Sequence, residues 1–332
     1  MEYQKIGITG GGAWGTALAQ AVIKSGCDAL LWAYEAETVR EINESHTNCA
    51  YLPDIPLQPS IRATGELADI AECDAILMVT PAQHTRAIAG QLAKLLPLGR
   101  PIIICCKGIE QTTRKLMSQV MAEALPQAAL AVLSGPSFAA EVARDLPAAL
   151  TLACEDETLG EALALALGHD TFRPYWSSDV IGAQIGGAVK NVLAIAAGIV
   201  VGKKLGSNAH AAITTRGFSE MVQFGTALGA QAETLTGLSG LGDLILTCGS
   251  PQSRNMSLGL ALGQGKTLEE VLGARKSVSE GVYTASAIVE IAQSSGLDLP
   301  ICEAVHSVVS GEASVDKAIE ELLARPLRAE VI

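Results

Sequence analysis

Residues 180 to 202, VIGAQIGGAVKNVLAIAAGIVVG, hold a single charged side chain, Lys190. As a helix this run would be about 35 Å long, so it either crosses a bilayer or passes through the middle of a substantial core. A lysine at the centre of a spanning helix is penalised by about 2.5–3.5 kcal/mol, and Gln184 and Asn191 add to the penalty. A buried core helix is therefore the expected state. That choice raises a second requirement. An unpaired buried cation costs several kcal/mol, comparable with the stability of a whole protein, so something must compensate Lys190.

The chain can build such a core. It has 332 residues, 49% of them hydrophobic, which suggests two domains at roughly 150 residues each. A net charge of -12 argues against a nucleic-acid-coating protein but leaves room for one basic pocket fitted to a small phosphate. The eight cysteines fall singly or as the adjacent pair Cys105 and Cys106, with no Cys-x-x-Cys, and the five histidines show no metal-ligand spacing. Neither a disulfide framework nor a metal site is expected. The amino terminus, MEYQKIGITG, enters a strand pattern at once, so no secretory signal is expected. A reducing cytoplasm is the expected setting.

The first half alternates between two kinds of segment. Apolar runs at 5–10, 29–34, 74–80, 101–106, 130–135 and 148–154 are nearly free of charge and bounded by Gly, Pro or Asp. Strands buried on both faces of a mostly parallel sheet have this pattern. Helix-period stretches such as 15–25 and 83–96 lie between several of them. The alternation predicts a Rossmann-type, doubly wound α/β domain over residues 1–180. Beyond it, helix-period segments follow one another at 180–202, 209–230, 255–262, 267–273, 284–295, 301–309 and 315–323. Gly-rich breaks such as TGLSGLGD (236–243) separate them. Residues 181–332 therefore read as an all-α domain, and the candidate substrate-binding residues below fall mostly within it.

The first strand runs into GITGGGAWGTALA, with Gly10, Gly12 and Gly15 in the spacing of a dinucleotide-binding turn. Glycines there allow a tight turn and close approach to a pyrophosphate, which then faces the amino end of a helix carrying Ala13 and Trp14. The second run ends in WAYEAE, about 20 residues on, where an acidic side chain commonly takes the ribose hydroxyls. Glu35 suits that role and would repel a 2′-phosphate, which favours NAD over NADP. Tyr34 is placed to stack on adenine.

Four further stretches carry chemistry. IIICCKGIE sets Lys107 just past a strand, and LSGPSFAAEVA does the same for Gly135 and Ser137. Ligands in such folds lie outside the carboxyl ends of the strands. Lys190 and Asn191 sit on the apolar run, and GLGDLILTCGSPQSRN supplies Asp243, Thr247, Ser253, Arg254 and Asn255. Burial lowers a lysine's pKa towards the range of a general acid or base, and a carboxylate such as Asp243 would orient it. Spacing alone does not bring these residues together. Taken singly, Lys107 reads as well as a solvated loop charge, Asp243 as a helix cap and Arg254 as a surface cation.

As a linked set, GGGAWGTALA, CKGIE, SGPSFAAEVA, AVKNVLAIAAG, GLSGLGDLILTC, SRN and VSEGVYTA closely resemble the bacterial NAD(P)-dependent glycerol-3-phosphate dehydrogenases over almost the whole chain. The resemblance implies reduction of dihydroxyacetone phosphate to sn-glycerol 3-phosphate, which feeds phospholipid synthesis. It implies that Lys190 exchanges the hydroxyl proton and that Lys107 contacts substrate and cofactor. Gly135, Ser137, Asp243, Ser253, Arg254 and Asn255 match substrate-binding positions, with Asn191 and Thr247 beside them. Trp14, Tyr34, Ala139, Arg254, Val278 and Glu280 match cofactor-binding ones. No metal is required. Many bacterial members carry His or Arg after the second strand, where this chain has Tyr34 and Glu35. NAD or NADP thus remains the cofactor choice, with Glu35 leaning towards NAD. A homodimer is the expected assembly.

Two alternatives stay open at this level. One is a β-hydroxyacid dehydrogenase of the same architecture, whose relatives place the asparagine one turn after the lysine rather than next to it. The other is a non-catalytic NAD(H) sensor, which would explain the glycine turn but not Lys190.

Overall fold

A computed structural model describes residues 3–273 and 280–327. The chain divides into two compact units. One comprises Met1–Cys106 with Met117–Val180, the other Lys107–Leu116 with Ile181–Ile332.

The first unit opens with β1 (Lys5–Thr9), α1 (Ala13–Lys24), β2 (Asp28–Trp32), α2 (Ala36–Ser45) and β3 (Arg62–Thr64). It continues through α3 (Leu67–Ala71), β4 (Ala75–Met78), α4 (Ala82–Leu92), β5 (Pro101–Ile104) and α5 (Met117–Ala124). β6 (Ala129–Ser134), α6 (Ala139–Ala143), β7 (Ala148–Ala153), α7 (Glu157–Leu167) and β8 (Phe172–Ser177) complete it. The eight strands form one sheet in the order β3-β2-β1-β4-β5-β6-β7-β8. All neighbours pair in parallel except β6 and β7. The central strands are unbroken aliphatic runs such as AILM and PIII because both faces are covered. Ile8, Leu31, Leu77 and Ile103 are fully buried within that packing.

Two strands lie outside the expected set, and each has a physical reason. β3 is three residues of edge strand, RAT, with little apolar signal. β8, FRPYWS, alternates burial with exposure, and its Pro174 is tolerated because β8 closes the sheet edge.

The second unit is helical: α8 (Val180–Gly202), α9 (Ser207–Ala227), α10 (Ala232–Thr236), α11 (Asp243–Gly249) and α12 (Arg254–Gly263). α13 (Leu268–Gly273), α14 (Glu280–Ser295), α15 (Pro300–Val309) and α16 (Val315–Leu323) follow. By length and composition α8 passes as a membrane span, yet 89% of its most apolar window is buried inside the protein. It is the axis of a core that includes Phe224, Met221, Leu244 and Ile288.

Glycines let α8 and α12 approach backbone to backbone. A Cβ on Gly198 would lie 2.1 Å from the Met256 carbonyl oxygen, and one on Gly259 would lie 2.0 Å from that of Ile195. Farther along the same crossing, a Cβ on Gly202 would meet the Leu260 oxygen at 2.3 Å.

Two expectations need correction. The Gly-rich stretch 236–243 is not a break. Leu238–Gly242 is a π-helical turn that leads straight into α11. Glycine permits it, since a Cβ on Gly240 would stand 2.0 Å from the Leu235 carbonyl oxygen. The division at residue 180 also misplaces Lys107–Leu116, which belongs to the helical unit. A bridge between Ile109 and Leu116 closes this excursion, and both residues join the helical core. Arg114 makes an ion pair with Glu290 of α14.

Candidate active site

Lys190 projects from the middle of α8 and is 8% exposed. Its Nζ donates to Asp243 Oδ1 at 2.7 Å and to Thr247 Oγ1 at 2.9 Å. Asp243 opens α11 directly after the π-helical turn and is 1% exposed. Thr247 stands one turn later, on the same face, and donates to Asp243 Oδ1 at 3.2 Å. The other carboxylate oxygen, Oδ2, accepts from Lys107 Nζ at 2.6 Å. Two ammonium groups thus share one carboxylate, and the trio carries a net charge of about +1 at neutral pH. An ammonium has three donors. Lys190 leaves one of them without a protein partner among the described residues.

This arrangement answers the problem raised by the apolar run. Burial pushes Lys190 down to about 8, further lowered by the like charge of Lys107 and opposed by Asp243. Burial alone would push the Asp243 carboxyl up, but Lys107 and Lys190 outweigh it and hold that carboxyl below its usual range. Lys190 can therefore exist as ammonium or amine near neutral pH, while Asp243 stays ionised.

A second polar chain runs beside the first. Asn191 Nδ2 donates to the Gly187 carbonyl at 3.3 Å, and Asn255 Nδ2 donates to Asn191 Oδ1 at 2.9 Å. Asn255 Oδ1 accepts from the Gly281 N–H at 3.1 Å, at the start of α14. Only a glycine fits there, because a Cβ would stand 2.6 Å from the Asn191 carbonyl oxygen. Ser253 caps α12, its Oγ accepting from the Met256 N–H at 3.2 Å. Arg254 is the first residue of that helix and is exposed. Glu280 begins α14. Val278 lies outside the described residues.

The first unit carries the remaining candidates. Gly10 has φ +132°, and a Cβ on Gly15 would lie 1.9 Å from the Gly10 carbonyl oxygen. These glycines hold β1 and α1 tightly together. Gly12 is the N-cap of α1, contributes no capping side chain, and has open space where a Cβ would go. Ala13 and Trp14 form the first turn, and Trp14 Nε1 is buried without a protein partner among the described residues. Uncapped helix N–H groups, an open approach and an orphaned indole donor fit a pyrophosphate-bearing dinucleotide.

Tyr34 follows β2 and is 85% exposed, while Glu35 is the N-cap residue of α2. Gly135, with φ +150°, and Ser137 follow β6, the Ser137 hydroxyl donating to the Gly135 carbonyl at 3.0 Å. Ala139 begins α6. Lys107, Lys190, Asp243 and Thr247 thus meet, as do Asn191 and Asn255. The glycine turn, Tyr34 and Glu35 form a separate group in the first unit.

Sequence reasoning passed over Asn48 and Tyr51. Asn48 is fully buried and donates to the Gly11 carbonyl and to Thr16 Oγ1, both at 2.8 Å. Tyr51 Oη donates to Glu35 Oε1 at 3.1 Å. No periodicity marks either residue. The available signal was an isolated Asn and Tyr in a loop that returns to the glycine turn.

Comparison with known proteins gives a consistent result. Residues 5–160 match the family model described as NAD-dependent glycerol-3-phosphate dehydrogenase N-terminus, and residues 179–320 match that of its C-terminus. The glycerol-3-phosphate dehydrogenase [NAD(P)+] of Parvibaculum lavamentivorans is 62% identical, with 99% of each chain covered. That of Caulobacter vibrioides is 58% identical over 99% of this chain and 100% of its own. Among solved structures, the Coxiella burnetii glycerol-3-phosphate dehydrogenase superposes with a TM-score of 0.93 at 38% identity, covering 98% of this chain and 99% of that one.

Proposed function

The chain belongs to the NAD-dependent glycerol-3-phosphate dehydrogenase family, and we propose that Lys190 is the general acid and base of its reaction. That reaction is the reversible reduction of dihydroxyacetone phosphate to sn-glycerol 3-phosphate with NADH or NADPH. The observation that carries the assignment is the buried Lys107–Asp243–Lys190 cluster, with one Lys190 hydrogen unclaimed among the described residues.

In the reducing direction, the remaining N–H of Lys190 would donate to the substrate's C2 oxygen. When bound, the nicotinamide cofactor supplies the hydride that arrives at C2. Lys190 gives its proton to the oxygen as the carbonyl becomes an alcohol and is left as a neutral amine. In the opposite direction the same amine takes the hydroxyl proton. Lys107 stabilises negative charge on that oxygen, and Asp243 fixes both ammonium groups in position. Thr247 restrains the Lys190 side chain. Such proton transfer contributes about 10²–10⁴-fold.

Arg254, with Asn255 and Ser253, holds the phosphate away from the reacting carbon, so that remote binding energy serves orientation. Asn191 positions Asn255. The family resemblance implies substrate contacts from Gly135 and Ser137 as well. Gly10, Gly12, Ala13, Trp14 and Gly15 would hold the dinucleotide's pyrophosphate. Tyr34 and Glu35 would take its adenosine, and the family resemblance further implies cofactor contacts from Lys107, Ala139, Arg254 and Glu280. Glu35 disfavours a 2′-phosphate, which makes NADH the preferred partner.

A reducing cytoplasm suits eight cysteines that form no disulfide among the described residues. A homodimer is the assembly proposed by analogy with symmetric soluble enzymes. The product would serve glycerophospholipid synthesis.

The test is dihydroxyacetone phosphate reduction with NADH and NADPH side by side. A higher kcat/KM with NADH is expected. Absence of turnover with either cofactor, or turnover of a β-hydroxyacid such as 3-hydroxyisobutyrate instead, overturns the assignment.

A further inference from the structure

Glu35 is exposed, and a free glutamate side chain samples many rotamers whose ordering costs on the order of 1–2 kcal/mol. A carboxylate that must meet ribose hydroxyls in one geometry gains from being held. The segment from His46 to Leu52 supplies the means. It follows α2 and is pinned at three places. Asn48 is its buried anchor, donating from Nδ2 to the Gly11 carbonyl within the glycine turn and to Thr16 Oγ1 on α1. Glu41 of α2 accepts from Thr47 Oγ1 at 2.8 Å and from the Cys49 N–H at 2.9 Å. The Leu52 N–H closes back on the Asn48 carbonyl at 2.7 Å, and the Leu52 side chain enters the core. Tyr51 stands inside this clamped turn, half-buried, with Oη 3.1 Å from Glu35 Oε1.

We infer that Tyr51 is a specificity-determining residue for the dinucleotide: it holds the Glu35 carboxylate in the orientation that accepts ribose hydroxyls and repels a 2′-phosphate. The inference rests on the reading of Glu35 as the ribose contact.

The chemistry is directional. Tyr51 can donate its hydroxyl hydrogen to Oε1, which leaves Oε2 and a remaining lone pair of Oε1 as acceptors. Both hydroxyls of an unphosphorylated ribose are donors and can use those sites. A 2′-phosphate brings acceptors and negative charge to a carboxylate that has been prevented from swinging away. The clamp couples the two halves of the dinucleotide site, because Asn48 ties the same turn to the backbone at Gly11. The glycine turn and the acidic reader are thereby held in one register.

The test is direct titration of NADH and NADPH binding, followed by fluorescence of the reduced nicotinamide, with no turnover required. Tyr51→Phe removes one oxygen and keeps the ring. It is expected to weaken NADH binding about fivefold to tenfold, the net size of one ordinary hydrogen bond at an exposed site, while NADPH binding holds or improves. Glu35→Gln serves as the control on the underlying reading and is expected to lower the NADH preference at least as far. The double variant should match Glu35→Gln alone, because Tyr51 works through Glu35. An unchanged NADH-to-NADPH ratio in Tyr51→Phe, alongside a lowered ratio in Glu35→Gln, overturns the inference and leaves the reading of Glu35 standing. An unchanged ratio in Glu35→Gln overturns that reading and the inference with it. If Tyr51→Phe does not fold, Asn48→Asp in the same titration decides. It preserves size but puts a carboxylate against the Gly11 carbonyl, and a lowered ratio supports the clamp while an unchanged ratio overturns it.

Discussion

Lys107 and Lys190 bind opposite oxygens of one buried carboxylate, Asp243 Oδ2 at 2.6 Å and Oδ1 at 2.7 Å. Each ammonium is tolerable because the carboxylate is there, and the carboxylate stays ionised because of them. Replacing Asp243 with Asn leaves two like charges facing a neutral amide. Loss of one partner from a buried ion pair typically destabilises by about 3–5 kcal/mol. Asp243→Asn should therefore unfold at lower urea concentration and turn over dihydroxyacetone phosphate about 10²–10⁴-fold more slowly. Urea denaturation and steady-state kinetics check both.

The pH profile follows from the position of Lys190. Its ordinary value of 10.5 falls to about 8, chiefly through burial, with Asp243 opposing and Lys107 assisting the shift. Alcohol oxidation needs the amine, so kcat for glycerol 3-phosphate should rise with pH and level off above about 8. Carbonyl reduction needs the ammonium, so kcat for dihydroxyacetone phosphate should fall through the same range. Initial rates in both directions between pH 6 and 10 (about two units either side of that value) check the crossing.

Glu220 of α9 offers a stability prediction away from the chemistry. It is buried, and its two oxygens accept from the Ile301 and Cys302 N–H groups at 2.7 and 3.0 Å, capping α15. Burial raises its carboxyl from 4.5 to about 7, against the pull of those N–H groups. The folded state thus holds this proton more tightly than the unfolded chain. The resulting stabilisation is complete below about pH 4.5 and is lost as pH rises through 7, an effect on the order of 3 kcal/mol. Glu220→Gln cannot ionise and should flatten that part of the stability curve. Urea midpoints measured at intervals from pH 4.5 to 8 test this.

The crossing of α8 and α12 sets how Asn255 meets Asn191, and it depends on glycine. A methyl group at Gly259 would stand 2.0 Å from the Ile195 carbonyl oxygen. Gly259→Ala should cost about 3 kcal/mol by forcing the helices apart. It should also raise KM for dihydroxyacetone phosphate, since Arg254 and Asn255 ride on α12. Chemical denaturation and KM together check the two effects.

Much of this was legible in the sequence. A lone charge in an apolar run announced Lys190, and strands buried on both faces announced the central sheet. β3 and β8 escaped notice because edge strands need no continuous apolar run. The glycines of 238–242 look like a loop, and only their packing beneath α8 turns them into a π-helical turn. A Cβ on Gly186 of α8 would meet the Ser239 carbonyl oxygen at 2.2 Å. The meeting of Lys107 with Asp243 spans 136 positions, and no local pattern encodes such a distance. Tyr51 escaped notice because its partner Glu35 lies 16 positions earlier, in a different turn.

The account is tested most directly by kcat for dihydroxyacetone phosphate reduction in Lys190→Met, a change that keeps the apolar stem and removes the exchangeable proton. A fall of at least about 10²-fold, with NADH affinity unchanged, is the predicted result. Turnover at the unmodified rate would contradict it.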